Sequence, residues 1–180
     1  MSQIEIRKAS FTDLQSIQKI GSKTFTETFA AVNSAENISN YLEESFNTAQ
    51  LTIEFNNPDS SFYLATLDNK TIGYLKINFR KAQTEILENE AMEIQRIYVL
   101  KEFHGKKVGQ FFIDEVLNIA KINPVTFIWL GVWEENHRAI GFYTKNGFVA
   151  FDKHVFTLGD DNQTDLLMKL EIKNQKQTKH

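Results

Sequence analysis

Two glycines and two lysines crowd the six residues His104-Gly105-Lys106-Lys107-Val108-Gly109. Residues 94–99, just before them, are rich in β-branched and aromatic side chains, the composition of a strand. After them Val108, Phe111, Phe112, Val116, Leu117 and Ala120 fall at helical spacing. The stretch therefore reads as strand, polar turn, helix. A helix opens with backbone N–H groups that lack intrahelical partners, and it carries a partial positive charge at that end. With Lys106 and Lys107 beside it, this end suits an anion. A Gly/Lys turn ahead of a helix is also an ordinary helix entry, so the loop alone decides little.

A second stretch, residues 136–148, follows a near-continuous apolar run at 126–133, the pattern of a strand buried on both faces. Ala139, Phe142 and Tyr143 lie at helical spacing and would pack a core in any protein, while Asn136 suits a helix cap. Asn146-Gly147 ends this helix with a residue able to take a left-handed conformation.

Taken together and in this order, the two stretches resemble the GNAT (GCN5-related) superfamily of N-acetyltransferases. The signature of that family, Gln/Arg-x-x-Gly-x-Gly/Ala, falls on residues 104–109. His104 stands for Gln or Arg, Lys107 stands for the first glycine, and Gly109 is kept. Asn136, Ala139, Phe142, Tyr143, Lys145, Gly147 and Phe148 match the helix near the end of many members. The resemblance covers residues 4–172 and is strongest over 92–151.

The resemblance implies acetyl-CoA as cosubstrate and no metal. Its pyrophosphate would lie on the backbone amides of Gly105, Lys106, Lys107, Val108, Gly109 and Gln110, with His104 nearby. Its pantetheine would pair with the backbone of Ile97, Tyr98 and Val99 like an added strand, and Asn136 would bond the arm or its pyrophosphate end. The Val99 N–H would serve the oxyanion. Tyr143, with a reference pKa of ~10, would protonate the leaving thiolate. Glu93 is the leading general base, acting directly or through water, with Glu88 and Glu90 as weaker candidates from the preceding loop. At a period of two, Glu93, Gln95, Ile97 and Val99 share one face of the strand. Lys107 fits the cradle if its backbone angles are ordinary.

Phe25, Glu27, Phe29 and Tyr41, with Leu42 and Phe46, are similar to the N-terminal part of PaiA-type polyamine acetyltransferases, as is the run 94–99. This implies a small amine acceptor such as spermidine or spermine. Glu27, Glu43 and Glu44 are candidates for its ammonium groups. The alternatives are a protein or peptide N-acetyltransferase of the same fold, and a CoA-binding sensor domain.

These residues need a scaffold, and the rest of the chain supplies one. With 180 residues, a single domain over 1–172 and a polar tail over 173–180 are expected. Fifteen phenylalanines point to a Phe-rich core. A net charge of −3 argues against bulk nucleic-acid binding. With no cysteine, a thiolate metal site, a disulfide and a cysteine nucleophile are all excluded. No apolar run approaches a membrane span, so a cytoplasmic enzyme is the default, with a homodimer plausible by family habit. The pattern predicts a first strand at 4–7, then three helices. The first contains Gly21, which would bend or loosen it. A hairpin at 61–79 follows, with Gly73 as a bulge or close approach, then a surface loop at 80–90. The central strand, its helix, the strand at 126–133 and the second helix come next. Two antiparallel strands around residues 159–162 end the fold. The fold class is mixed α/β: a GNAT fold with a mixed, mostly antiparallel twisted sheet of six to seven strands. Helices flank it, and it is splayed at its two central parallel strands.

Overall fold

The structure, a computed structural model, describes residues 3–85, 87–88 and 90–173; the expected tail lies, beyond Lys173, outside the described residues. The chain runs β1 (Glu5–Lys8), α1 (Leu14–Phe29), α2 (Ala35–Ser45), α3 (Thr48–Asn56), β2 (Ser60–Leu67), β3 (Lys70–Phe79) and β4 (Ala91–Val99). It continues through α4 (Val108–Ile122), β5 (Phe127–Trp133), α5 (His137–Lys145), β6 (Val149–Leu158) and β7 (Asp161–Glu171). The seven strands form one sheet in the order β1-β2-β3-β4-β5-β7-β6. Among the described residues, only β4 and β5 run parallel to each other. This is the expected mixed α/β class.

Local chemistry sets the helix starts. The Ser10 N–H donates to the Asp13 carboxylate at 2.8 Å, and Arg7 holds that carboxylate at 2.7 and 2.9 Å. Ser34 and Asn47 cap α2 and α3 by accepting the amides of Asn37 and Gln50. Gly21 does not bend α1. The helix runs unbroken because Gly21 makes room for Phe46, whose Cε1 would lie 2.1 Å from an added Cβ. Asp68 and Asn69 take positive φ in the two-residue β2–β3 turn. The final hairpin is tighter than expected, since Leu158 already pairs with Asp161 around Gly159-Asp160.

The helices cover opposite faces of the sheet. On one side α4 and α5 enclose Met92, Ile94, Phe112, Val116, Ile128, Leu130 and Met168. On the other, α1, α2 and α3 bury Leu14, Ile17, Leu51, Phe62, Leu64 and Tyr74, with a satellite of Phe25, Phe29, Ile38 and Leu158. Burying each such side chain stabilises the fold by about 1.5–3 kcal/mol. Beneath β3 and β4, on the α3 side, three charges are buried together. Glu54 Oε2 lies 2.9 Å from Lys76 Nζ and 2.8 Å from Arg96 Nη1.

Two irregularities shape the sheet centre. First, β4 and β5 pair only at Ala91/Phe127, Met92/Ile128 and Glu93/Trp129. Beyond these rungs β4 follows β3 and β5 follows β7, so the sheet forks. Second, Lys76 opposes Arg96 while Ile77 opposes Ile94, which leaves Gln95 as an extra residue in β4. This bulge overturns the expected alternation. Met92, Ile94, Ile97 and Val99 face α4. Glu93 and Gln95 both meet Asn78, Arg96 meets Glu54, and Tyr98 stacks on Tyr74, all on the α1–α3 side. Glu93 therefore does not share a face with Ile97 and Val99.

Candidate active site

The head of α4 stands beside the open end of the fork. Among the described residues, the amides of Gly105, Lys107, Val108, Gly109 and Gln110 donate to no protein acceptor, while Lys106 N–H is used by Phe103 O. Five free amides at a helix N-terminus form an anion cradle. Gly109 lets α5 approach this helix, because an added Cβ would meet the Phe142 ring at 3.2 Å. Gln110 is committed elsewhere by its side chain, which donates to Asp114 and Asn146. Lys106 lies over the Phe103 ring at 4.7 Å.

Lys107 does not have the ordinary backbone angles that its side chain would prefer. It sits at φ 64, ψ 10, the left-handed region. A glycine at this position carries no such penalty, which for an L residue amounts to about 1–2 kcal/mol. After the extra chain entropy of glycine is subtracted, Lys107→Gly is expected to raise stability by about 0.5–1 kcal/mol. Denaturant unfolding checks this. Lys107→Ala, which leaves φ positive, should give no gain.

His104, expected near the pyrophosphate, turns back toward the strand. Its Nε2 lies 2.8 Å from Val99 O. Burial lowers its pKa and Arg138 pushes the same way, against the Val99 carbonyl, which favours the protonated form. A neutral imidazole here donates from Nε2 to Val99 O. The same carbonyl is one of the groups expected to meet pantetheine.

Asn136 caps α5, its Oδ1 accepting the Ala139 N–H at 3.2 Å. About two turns later α5 presents Tyr143, which is 7% exposed between the Phe142 and Phe148 rings. Burial raises the pKa of its phenol well above the ordinary value, and Tyr98 adds to the shift. The hydroxyl is protonated at neutral pH. Tyr98 reaches the fork from the other face, its phenol likewise raised by burial.

Glu93 occupies the last rung of the fork and is 3% exposed. Its carboxylate accepts from Asn78 Nδ2 at 2.9 Å, from Thr84 N at 2.8 Å and from Thr84 Oγ1. Three protein donors take up most of its acceptor capacity. They tie the β3–β4 loop across the sheet, where Trp129 Nε1 also donates to Gln83 and His154 meets Glu85. Glu88 and Glu90 are exposed on the same loop.

Of the expected acceptor residues, three come together. Phe25 stacks on Tyr41 at 4.1 Å, Phe29 lies 5.8 Å from Trp133, and Tyr41 meets Phe156 edge-on. Glu27 does not join them. Its Oε2 accepts the Lys101 N–H at 2.9 Å and so anchors the turn after β4. Glu43 and Glu44 are exposed on α2. The sequence reading missed the Tyr98 phenol as part of this wall, and it missed Asp165 on β7, which lies against Gly131 of β5. A groove of 580 Å3 lined by Pro58, Phe79, Arg80, Asn123 and Pro124 lies at the other end of the parallel strands, away from the fork. No group of His, Cys, Asp and Glu able to hold a metal occurs among the described residues, nor any helix long and apolar enough to cross a membrane.

Known proteins place the chain in a family. The model of the acetyltransferase (GNAT) family matches residues 25–148. An uncharacterized N-acetyltransferase in the pepI 3' region of Lactobacillus delbrueckii subsp. lactis is 37% identical over 94% of this chain and 98% of its own. The spermidine N(1)-acetyltransferase of Thermoplasma acidophilum is 30% identical over 83% of this chain and 90% of its own. Among solved structures, the PaiA N-acetyltransferase of Thermoplasma acidophilum in complex with coenzyme A superposes with a TM-score of 0.78. It is 27% identical and the match covers 94% of this chain and 99% of that one.

Proposed function

The chain belongs to the acetyltransferase (GNAT) family and is an acetyl-CoA-dependent N-acetyltransferase, and from that premise we propose that it acetylates a primary amine of a polyamine such as spermidine or spermine. Acetyl-CoA supplies the activated acetyl group as a thioester. The observation that carries the site assignment is the set of five unpartnered amides at the head of α4, next to strands that part. These residues fit a diphosphate followed by an amide-bearing arm.

Each side chain then has a task. Gly105, Lys107, Val108, Gly109 and Gln110 hold the diphosphate through their backbone, with Lys106 adding charge. Ile97, Tyr98 and Val99 offer a free strand edge to the arm, and His104 releases Val99 O when that edge is used. Asn136 keeps its Nδ2 available while Oδ1 caps α5. Tyr143 donates its proton to the departing thiolate. Glu93 holds the loop at residues 83–85 over the fork, because its donors leave it little capacity to take a proton itself. Phe25, Phe29 and Tyr41 form an apolar wall for the methylene segments of a polyamine.

The support for a polyamine is the 30% identity to a spermidine N(1)-acetyltransferase together with this aromatic wall. The test is free-thiol release from acetyl-CoA with spermidine, spermine, simple monoamines and peptides bearing a free N-terminus. Polyamine turnover well above that of monoamines and peptides is expected. Turnover confined to peptides would replace the polyamine with a protein terminus. Coenzyme A binding with no turnover on any amine would leave a sensor domain.

A further inference from the structure

We propose that Asp165 receives the acceptor amine: it binds the incoming alkylammonium and takes the proton that must leave before nitrogen can attack. This rests on the acetyltransferase reading above and supplies the proton acceptor that the three donors on Glu93 deny to that residue.

The placement comes from the sheet register. Trp133 of β5, Asp165 of β7 and His154 of β6 lie on one rung across the sheet and so share a face. Trp133 meets Phe29, so this is the α1–α2 face, opposite the head of α4 and Tyr143. The Asp165 carboxylate lies against Gly131, where an added Cβ would be 3.4 Å from its Oδ2. Gly131 is two residues beyond Trp129, the last point at which β5 pairs with β4. The carboxylate therefore stands at the mouth of the fork. It is half-buried, and among the described residues it accepts no hydrogen bond.

Its surroundings suit a cation. Trp133 stands beside it on the rung, and an indole face attracts ammonium. The ionisable groups around it are His154 from β6, Glu85 of the loop in contact with His154, and Tyr98 from β4; Arg96 and Tyr41 lie behind Tyr98. Burial raises the Asp165 carboxyl above the usual carboxylate range, against a smaller opposite pull from His154. A buried carboxyl raised in this way is a better proton acceptor at neutral pH than a surface aspartate.

The protons balance. The ammonium gives one proton to Asp165, and its lone pair forms the C–N bond as the C–S bond breaks. The Tyr143 hydroxyl passes its proton to the thiolate, and the second proton lost by nitrogen restores Tyr143 through solvent. Asp165 then releases its proton to water, so one proton leaves per turnover. Donor and acceptor thus enter from opposite faces and meet only where the strands part.

The test is Asp165→Asn, assayed with the best amine of the panel. The expected result is a fall of about 10²-fold or more in kcat/KM for the amine. Coenzyme A affinity by calorimetry should be unchanged. The acidic limb of the wild-type pH profile, displaced above the ordinary carboxylate range, should vanish in the Asn variant. Asp165→Glu, which keeps a carboxylate, should retain that limb at a reduced rate. An Asn variant with the wild-type rate and limb overturns the proposal. So does one that loses coenzyme A binding along with activity, because the residue is then structural. A wild type that acetylates peptides and no polyamine overturns only the polyamine reading, and the same comparison then runs on the peptide.

Discussion

Glu54→Gln is expected to destabilise the fold by about 3–5 kcal/mol, the range for breaking a buried ion pair from one side. Glu54, Lys76 and Arg96 are 8%, 4% and 9% exposed, and one carboxylate serves both cations. Burial alone would raise the Glu54 pKa, but Arg96 and Lys76 together push it below the ordinary value. Glutamine keeps the shape and can still accept from Arg96, yet it leaves two positive charges buried without an anion. At roughly 2–4 °C per kcal/mol for a chain of this size, the melting temperature should fall by about 10 °C. The deficit also has a pH signature. Burial lowers Lys76 to about 8, with Arg96 pushing the same way against Glu54. Its folded pKa thus lies below its unfolded one, so stability rises with pH between the two. Without Glu54 the folded pKa drops further and that window widens downward. The gap between variant and wild type should therefore narrow as pH rises toward about 8, where wild-type Lys76 also loses its proton, and stay constant above it. An Asn78→Ala control, which leaves the three charges in place, should not show this narrowing. An unchanged melting temperature for Glu54→Gln would mean the triad is not a stabilising element.

Tyr143→Phe is expected to lower kcat by about 10²–10⁴-fold, the usual contribution of a placed general acid. The substitution removes one oxygen from a ring already packed between Phe142 and Phe148, so the core is preserved. Burial holds the phenol protonated through the neutral range, and Tyr98 reinforces this. The hydroxyl therefore still carries its proton when the thiolate forms. Coenzyme A affinity and the melting temperature should stay at wild-type values, which separates a chemical loss from a binding or folding loss. A variant with the wild-type kcat would show that the thiolate leaves unprotonated or takes its proton from water.

The structural features behind these two effects differ in how plainly the sequence shows them. The order of strands and helices was legible, because the 3.6-residue period in α4 and α5 and the apolar run of β5 are strong signals. The turn into α4 was legible too, since Gly105 and Gly109 announce it. The fork followed from the family resemblance, and the rungs at residues 91–93 and 127–129 locate it. What failed was parity. The bulge at Gln95 carries no glycine or proline to mark it, so a strict alternation put Glu93 on the same face as Ile97 and Val99. Glu27 looked like a substrate carboxylate, but its partner is a backbone amide 74 residues away. Asp165 was invisible for a similar reason. An aspartate in an alternating strand reads as solvent-facing until the register with Trp133 and His154 is known. Lys107 ran against expectation because local sequence reports side-chain type, while the backbone angle is set by the join between turn and helix.

The forked sheet has a last consequence. A sheet stitched at one end leaves two free edges beyond the stitch, and in the binding mode proposed above the reagent would fill them. Bound there, it would join the two half-sheets in a continuous seam. When spent coenzyme departs, they are tied again only by the short stitch at its base. The protein's rigidity should therefore follow the acetyl-CoA concentration by mass action, so the metabolite that fuels the reaction would also tighten the catalyst.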